Sequence, residues 1–202
     1  MKKTFIISFL ILATAFNFSA CKSEGKKEEK KNNGVFKVAK AKNEINFIAY
    51  KTTEKKPVKG RFKTINVLSG GEGNNVKEAI NNTEFEIPVS SLLTKDTSRD
   101  FKIKKFFFGV MENTKLLSGK LMITDNVNGE ALITMNGITK KVPFTYTIVE
   151  KTFHMQTTID VNDWNASAAL SVFNKACEDL HEAEDGISKT WSEVDLDITT
   201  IF

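Results

Sequence analysis

Two runs decide the fold class: Val142-Pro143-Phe144-Thr145-Tyr146-Thr147-Ile148, and Phe153-His154-Met155-Gln156-Thr157-Thr158-Ile159-Asp160-Val161. In the first, Val142, Phe144, Tyr146 and Ile148 alternate with smaller or polar residues. In the second, Phe153, Met155, Thr157, Ile159 and Val161 form the longest such series in the chain. A period of two puts one face of a strand on a core and the other in water. The same period recurs on either side: Ile45, Phe47 and Ala49; Val58, Gly60 and Phe62 after Pro57; Phe85, Ile87 and Val89; Leu121 and Ile123; Ala131, Ile133 and Met135; Val194, Leu196 and Ile198. Turn formers separate these runs, at Gly70 to Asn75, Asp125 to Gly129 and Asn136-Gly137. About eight one-sided antiparallel strands must hide their apolar faces, and a sandwich or a barrel does so. A barrel of that size holds side chains or one small ligand.

Two segments break the alternation. Ile103, Phe106, Phe107 and Val110 have helical spacing after Ser98-Arg99-Asp100, with Asp100 as the expected cap of a short helix. From Trp164 to Ala183, the residues Ala166, Ala169, Leu170, Phe173, Cys177 and Leu180 follow i, i+3, i+4 spacing. This reads as one long helix of about five turns, capped by Asp163.

The N-terminus reads as an address. Lys2 and Lys3 precede an apolar run from Phe5 to Phe16, and Phe18-Ser19-Ala20-Cys21 follows. The run is short for a membrane span and suits an export signal over residues 1–20. A large apolar residue three places before Cys21 resembles a bacterial lipobox, which makes Cys21 the expected lipidation site. Residues 22–33, with no aliphatic or aromatic side chain, read as a charged tether, and residues 34–202 as the folded body. Lys22 after the anchor Cys is not an inner-membrane retention Asp and favours the outer membrane.

The 202 residues carry 29 Lys and Arg against 25 Asp and Glu, a net charge of +4. Signal and tether hold seven of the Lys and three of the Glu, which leaves 22 of each sign in the body. A neutral body argues against a nucleic-acid partner. With Cys21 assigned to an anchor, Cys177 is left alone, so a disulfide framework is not expected.

The ordered motifs resemble the YceI-like family. They are Ile45-Asn46-Phe47, Pro57-Val58-Lys59-Gly60-Arg61-Phe62, Ser90-Ser91-Leu92 with Thr94, Arg99-Asp100, Phe106-Phe107, Gly119-Lys120-Leu121 and Gly137-Ile138-Thr139-Lys140-Lys141-Val142. The resemblance implies a mainly β fold: an elongated, lipocalin-like antiparallel barrel of about eight strands with one short and one long helix. It further implies export to the bacterial envelope and a lumen for a polyisoprenoid or an isoprenoid quinone. The lipobox, the tether and the lysine-rich loop from Lys51 to Lys59 depart from the simplest family pattern.

No catalytic motif, cofactor motif or full metal-ligand set is present. Cys177 and His181 lie one helical turn apart, but two ligands fall short of a structural zinc site, and packing is the expected role. Of 16 Phe, 12 fall in the body. Phe47, Phe62, Phe85, Phe144 and Met155 are the inward-facing ligand candidates. About ten buried methylenes of a prenyl chain would gain roughly 8 kcal/mol gross, before ordering costs. Arg61 is the candidate headgroup contact, against a structural ion pair for it and for Arg99. The sequence thus points to a non-enzymatic envelope lipoprotein. Its expected partners are an amphiphilic lipid in the lumen and a membrane through the anchor, with room for a homodimer. The competing reading is a tethered surface interaction or stress-protective module whose barrel is only a scaffold.

Overall fold

The computed structural model describes residues 36–202; the expected signal, the lipidation site Cys21 and the tether lie outside the described residues. The strands are β1 (Phe36–Lys37), β2 (Lys42–Lys51), β3 (Lys56–Phe62), β4 (Asn66–Ser69), β5 (Glu72–Gly73), β6 (Glu84–Pro88), β7 (Leu92–Leu93), β8 (Leu116–Ile123), β9 (Asn128–Met135), β10 (Ile138–Val149), β11 (Thr152–Asp160) and β12 (Thr190–Ile201). The α-helices are α1 (Val76–Ile80), α2 (Thr97–Lys102), α3 (Ser167–Ala176) and α4 (Glu178–His181). A π-helix, Ile103–Phe107, continues α2.

One sheet of ten strands runs in the order β4-β6-β8-β9-β10-β11-β12-β2-β3-β7, and every pairing is antiparallel. Eight of the ten have five residues or more, and the short β4 and β7 form its edges. The sheet is strongly curled into a half-barrel, the lipocalin-like architecture expected. β8 to β12 form a meander, and β12 then pairs with β2 near the start of the body. The β9–β10 turn has positive φ at Asn136 and Gly137, which suits a two-residue hairpin of matching twist.

The alternation sets which face is covered. Val142, Phe144 and Tyr146 are buried, while Pro143, Thr145 and Thr147 face solvent. Registers pair inward residues with inward residues: Tyr146 with Met155, Met155 with Ile198, Ile198 with Ile45, and Ile45 with Phe62. Outward polar residues also tie neighbouring strands. Asp195 accepts from Tyr50 and, at 2.6 Å, from Thr158, and Asp197 accepts from Gln156 Nε2 at 2.9 Å. Among the described residues the core cluster runs from Val38 to Ala169, with Phe36 and Phe202 packed against it, so residues 36–202 bury an apolar face of their own.

Three inward phenylalanines sit opposite glycines: Phe47 opposite Gly60, Phe85 opposite Gly119, and Phe144 opposite Gly129. Each ring lies where a side chain on its partner would begin. A Cβ would come within 2.2 Å of Phe47 Cζ at Gly60, 2.6 Å of Phe85 Cζ at Gly119 and 2.2 Å of Phe144 Cζ at Gly129. The rings therefore lie flat along the wall, as aromatic side chains do over cross-strand glycines.

The helices differ from expectation. Asp96 caps α2 by accepting from Arg99 N at 3.0 Å. Asp100 is buried and does not cap; it accepts from Thr94 N and Thr94 Oγ1, both at 2.7 Å. The expected five-turn helix is three pieces. A 3₁₀ turn at Val161–Trp164 comes first, capped by Asp160 rather than Asp163. Asn165 then takes a left-handed conformation that reverses the chain. Ten residues of α3 follow, and Cys177, at φ −121°, separates them from α4. The Gly70 to Asn75 stretch is more than a turn. It holds β5 and leads into α1, where Asn75 and Glu78 form a reciprocal cap: Glu78 N donates to Asn75 Oδ1 and Asn74 N to Glu78 Oε2, both at 2.9 Å.

Gly60→Ala and Gly129→Ala should each cost about 1–3 kcal/mol, because the Phe opposite must leave a well-packed position. Urea unfolding of each variant checks this. Pairing Gly129→Ala with Phe144→Leu should recover part of the loss.

Candidate functional site

The inner face of β2, β3 and β12 is covered by the π-helix and α3. Phe107 of the π-helix meets Phe173 of α3 edge-on, with centroids 6.3 Å apart, and Phe108 meets Phe62 at 6.4 Å. Beneath this cap lies an apolar cavity of about 140 Å³. Phe47, Phe62, Leu196, Ile103, Phe107 and Phe173 are among its walls, and no charged side chain lines it.

A second cavity, of about 150 Å³, adjoins the first. The two share Phe47, Ala49, Ile103, Phe173 and Thr190. Its remaining walls are different in kind. Lys51, Arg99 and Lys102 line it with one carboxylate, Asp96, together with the buried Cys177 and His181. Asp96 is held 3.5 Å from Arg99. Together the cavities amount to about 290 Å³, just below the usual size of a small-molecule site.

His181 anchors the polar cavity. Asn174 Nδ2 donates to Ser188 O at 3.3 Å, which turns Asn174 Oδ1 to accept from Thr190 Oγ1 at 2.7 Å. Thr190 Oγ1 then accepts from His181 Nδ1–H at 2.6 Å. The relay fixes the neutral tautomer and leaves Nε2 with a lone pair and no partner among the described residues. Burial, followed by the cations of Lys51, Lys102 and Arg99, holds the His181 pKa down at about 4. Burial also pushes the Cys177 thiol up, so it stays protonated and unreactive at neutral pH. Among the described residues, no group of three or more metal-ligating side chains converges.

All five inward candidates are buried, but they divide. Phe47 and Phe62 line the apolar cavity, whereas Phe85, Phe144 and Met155 lie in the packed core and line neither cavity. Arg61 faces out, exposed, between inward Gly60 and Phe62, and lines neither cavity. Arg99, by contrast, lines the polar cavity beside Lys51 and Lys102. Sequence reasoning did not single out Lys102, Phe107 or Phe173 as cavity residues, whereas Lys51 opens the lysine-rich loop already marked as a departure. The helical stripe that contains Leu170 and Phe173 was the available signal for the cap. The lysine-rich loop borders the polar cavity: Lys51 Nζ donates to Leu180 O at 2.7 Å, and Lys55 sits over the rings of Tyr50 and Trp191.

The YceI-like domain profile matches residues 36–202. The chain belongs to the YceI-like family. No curated protein matches the sequence. Fifteen solved chains match its fold. One is a polyisoprenoid-binding domain from Saccharophagus degradans, described as implicated in plant cell wall breakdown. It has TM-score 0.55 and 11% identity, and the match covers 79% of this chain and 93% of that one. Another is BcnA of Burkholderia cenocepacia, with TM-score 0.53, 16% identity and coverage of 83% and 99%. At these identities the likeness establishes the fold of this YceI-like chain.

The neutral His181 gives the chain an acid weakness. Its pKa falls from 6.5 in the unfolded chain to about 4 when folded. Above pH 6.5 both states are neutral and the contribution to stability is complete. Between 6.5 and 4 the unfolded state takes a proton that the folded state refuses, so stability falls as pH falls. The full loss is about 3 kcal/mol. His181→Gln should lose less stability than the parent between pH 7 and pH 4.5, as read from urea midpoints.

Proposed function

We propose that this YceI-like protein binds an amphiphilic lipid, with its apolar chain in the inner cavity and its polar head in the outer one. The observation that carries this reading is the change of polarity across a shared wall. One chamber has no charged lining, and the next presents three cations and the lone pair of His181. A long apolar chain suits the first by area alone. Oxygen atoms of a headgroup suit the second. A polyisoprenoid or isoprenoid quinone is the ligand class, supported by the family and by the polyisoprenoid-binding neighbour. The role is carriage rather than catalysis, and the protonated Cys177 thiol agrees with that.

Export and lipid anchoring at Cys21, with residence in the outer membrane, complete the proposal and rest on the N-terminal sequence. Palmitate labelling of the producing cells should mark the protein, and Cys21→Ser should abolish the mark; label retained on that variant would remove the anchor from the proposal.

Native mass spectrometry and solvent extraction of the purified body test the ligand. A prenyl lipid or quinone should co-purify. Ala49→Phe, at the junction of both cavities, should lower uptake roughly tenfold or more by filling the passage. A folded protein that takes up no such lipid would overturn the reading.

A further inference from the structure

The body is neutral overall, but its charge is not evenly spread. Residues 92–105 hold Lys95, Arg99, Lys102, Lys104 and Lys105 against Asp96 and Asp100. Both carboxylates are engaged, Asp96 with Arg99 and Asp100 with Thr94. Lys102, Lys104 and Lys105 have no ion-pair partner among the described residues.

The same segment exposes aromatic surface. Phe101 is 57% exposed although it lies in a helix. The π-helix that follows α2 brings Phe101 and Phe106 together, five positions apart, with centroids 6.3 Å apart and rings at 90°. Lys105 Nζ stands over both rings, at 5.3 and 5.1 Å. Arg99, Lys102 and Ile103 of this stretch line the polar cavity, as does Leu180, which is also 57% exposed. An apolar and cationic rim thus borders the opening.

We propose that this rim, with Phe101, Phe106 and Lys105 foremost, is a docking surface for a bilayer that contains anionic phospholipid. The rings enter the headgroup layer while the lysines meet phosphate, as interfacial helices do. Charge complementarity selects the partner: a concentrated patch of unpaired cations on a neutral body meets an anionic plane. The docked rim turns the polar cavity toward the membrane. The proposal goes beyond lipid binding in the cavities and does not depend on it.

Vesicle flotation tests it with the body, residues 34–202, which carries its own core and no Cys21. The body should float with equimolar phosphatidylcholine and phosphatidylglycerol and not with phosphatidylcholine alone. Added salt should weaken the binding. Phe101→Ser with Lys105→Glu should lower bound protein roughly tenfold, at an unchanged unfolding midpoint. Val127→Ser with Lys140→Glu, elsewhere on the surface, should bind as the parent does. Three results would overturn the proposal: no flotation with the mixed vesicles at low salt, equal flotation of the Phe101/Lys105 variant, or sedimentation showing that the patch holds a dimer instead. Lipid extraction from the same variant separates this proposal from the cavity reading, because neither Phe101 nor Lys105 lines a cavity.

Discussion

The structure depends on phenylalanine rings laid over glycines. A Phe that stood upright would project into the space the sheet encloses. Gly60, Gly119 and Gly129 remove the obstacle on the neighbouring strand, and the rings of Phe47, Phe85 and Phe144 lie down in the space released. The pairs also pin register, since a slip of one residue would put a Cβ into the ring. The face nearest β2, β3 and β12 then needs a separate cover, and the π-helix with α3 supplies it.

The amount of this that sequence could reveal follows from the range of each interaction. Strand alternation is local, and Phe144, Tyr146, Phe153 and Met155 face inward as their spacing requires. Helix limits were less legible. Asp163 and Asp100 had the right chemistry for caps, but Asp160 and Asp96 hold the right geometry, and hydrogen bonds from Thr94, six positions earlier, draw Asp100 inward. The α1 cap was readable in Asn75-Val76-Lys77-Glu78, since a cap residue and an acid three places on need no distant partner. The cavities were not readable. Their walls are made where Phe107 meets Phe173, at 66 positions' separation. Likewise, no local pattern distinguishes Arg99 at the opening from Arg61 on the outer face.

The two cavities make one gradient. At the inner end the walls offer area and little else. At the outer end, the Asn174–Thr190–His181 relay spends its donors on itself and leaves an acceptor, while lysines and an arginine supply positive charge. Thr190 belongs to both ends, and its hydroxyl proton is committed to Asn174. The passage between the chambers therefore offers a sliding chain no hydrogen-bond donor from Thr190.

The unpaired edges of the sheet have a consequence for capacity. β4 and β7 are not hydrogen-bonded to one another, and near β7 the cavity wall is made of side chains, Leu92, Phe107 and Phe108 among them. In a fully closed barrel the bore is fixed by strand number and stagger. Here, turning a ring about its own bonds would enlarge the space while every ladder of backbone hydrogen bonds stays whole. For the lipid proposed above, tail length would then be set by rotamer energies, which are small, rather than by the cost of parting strands.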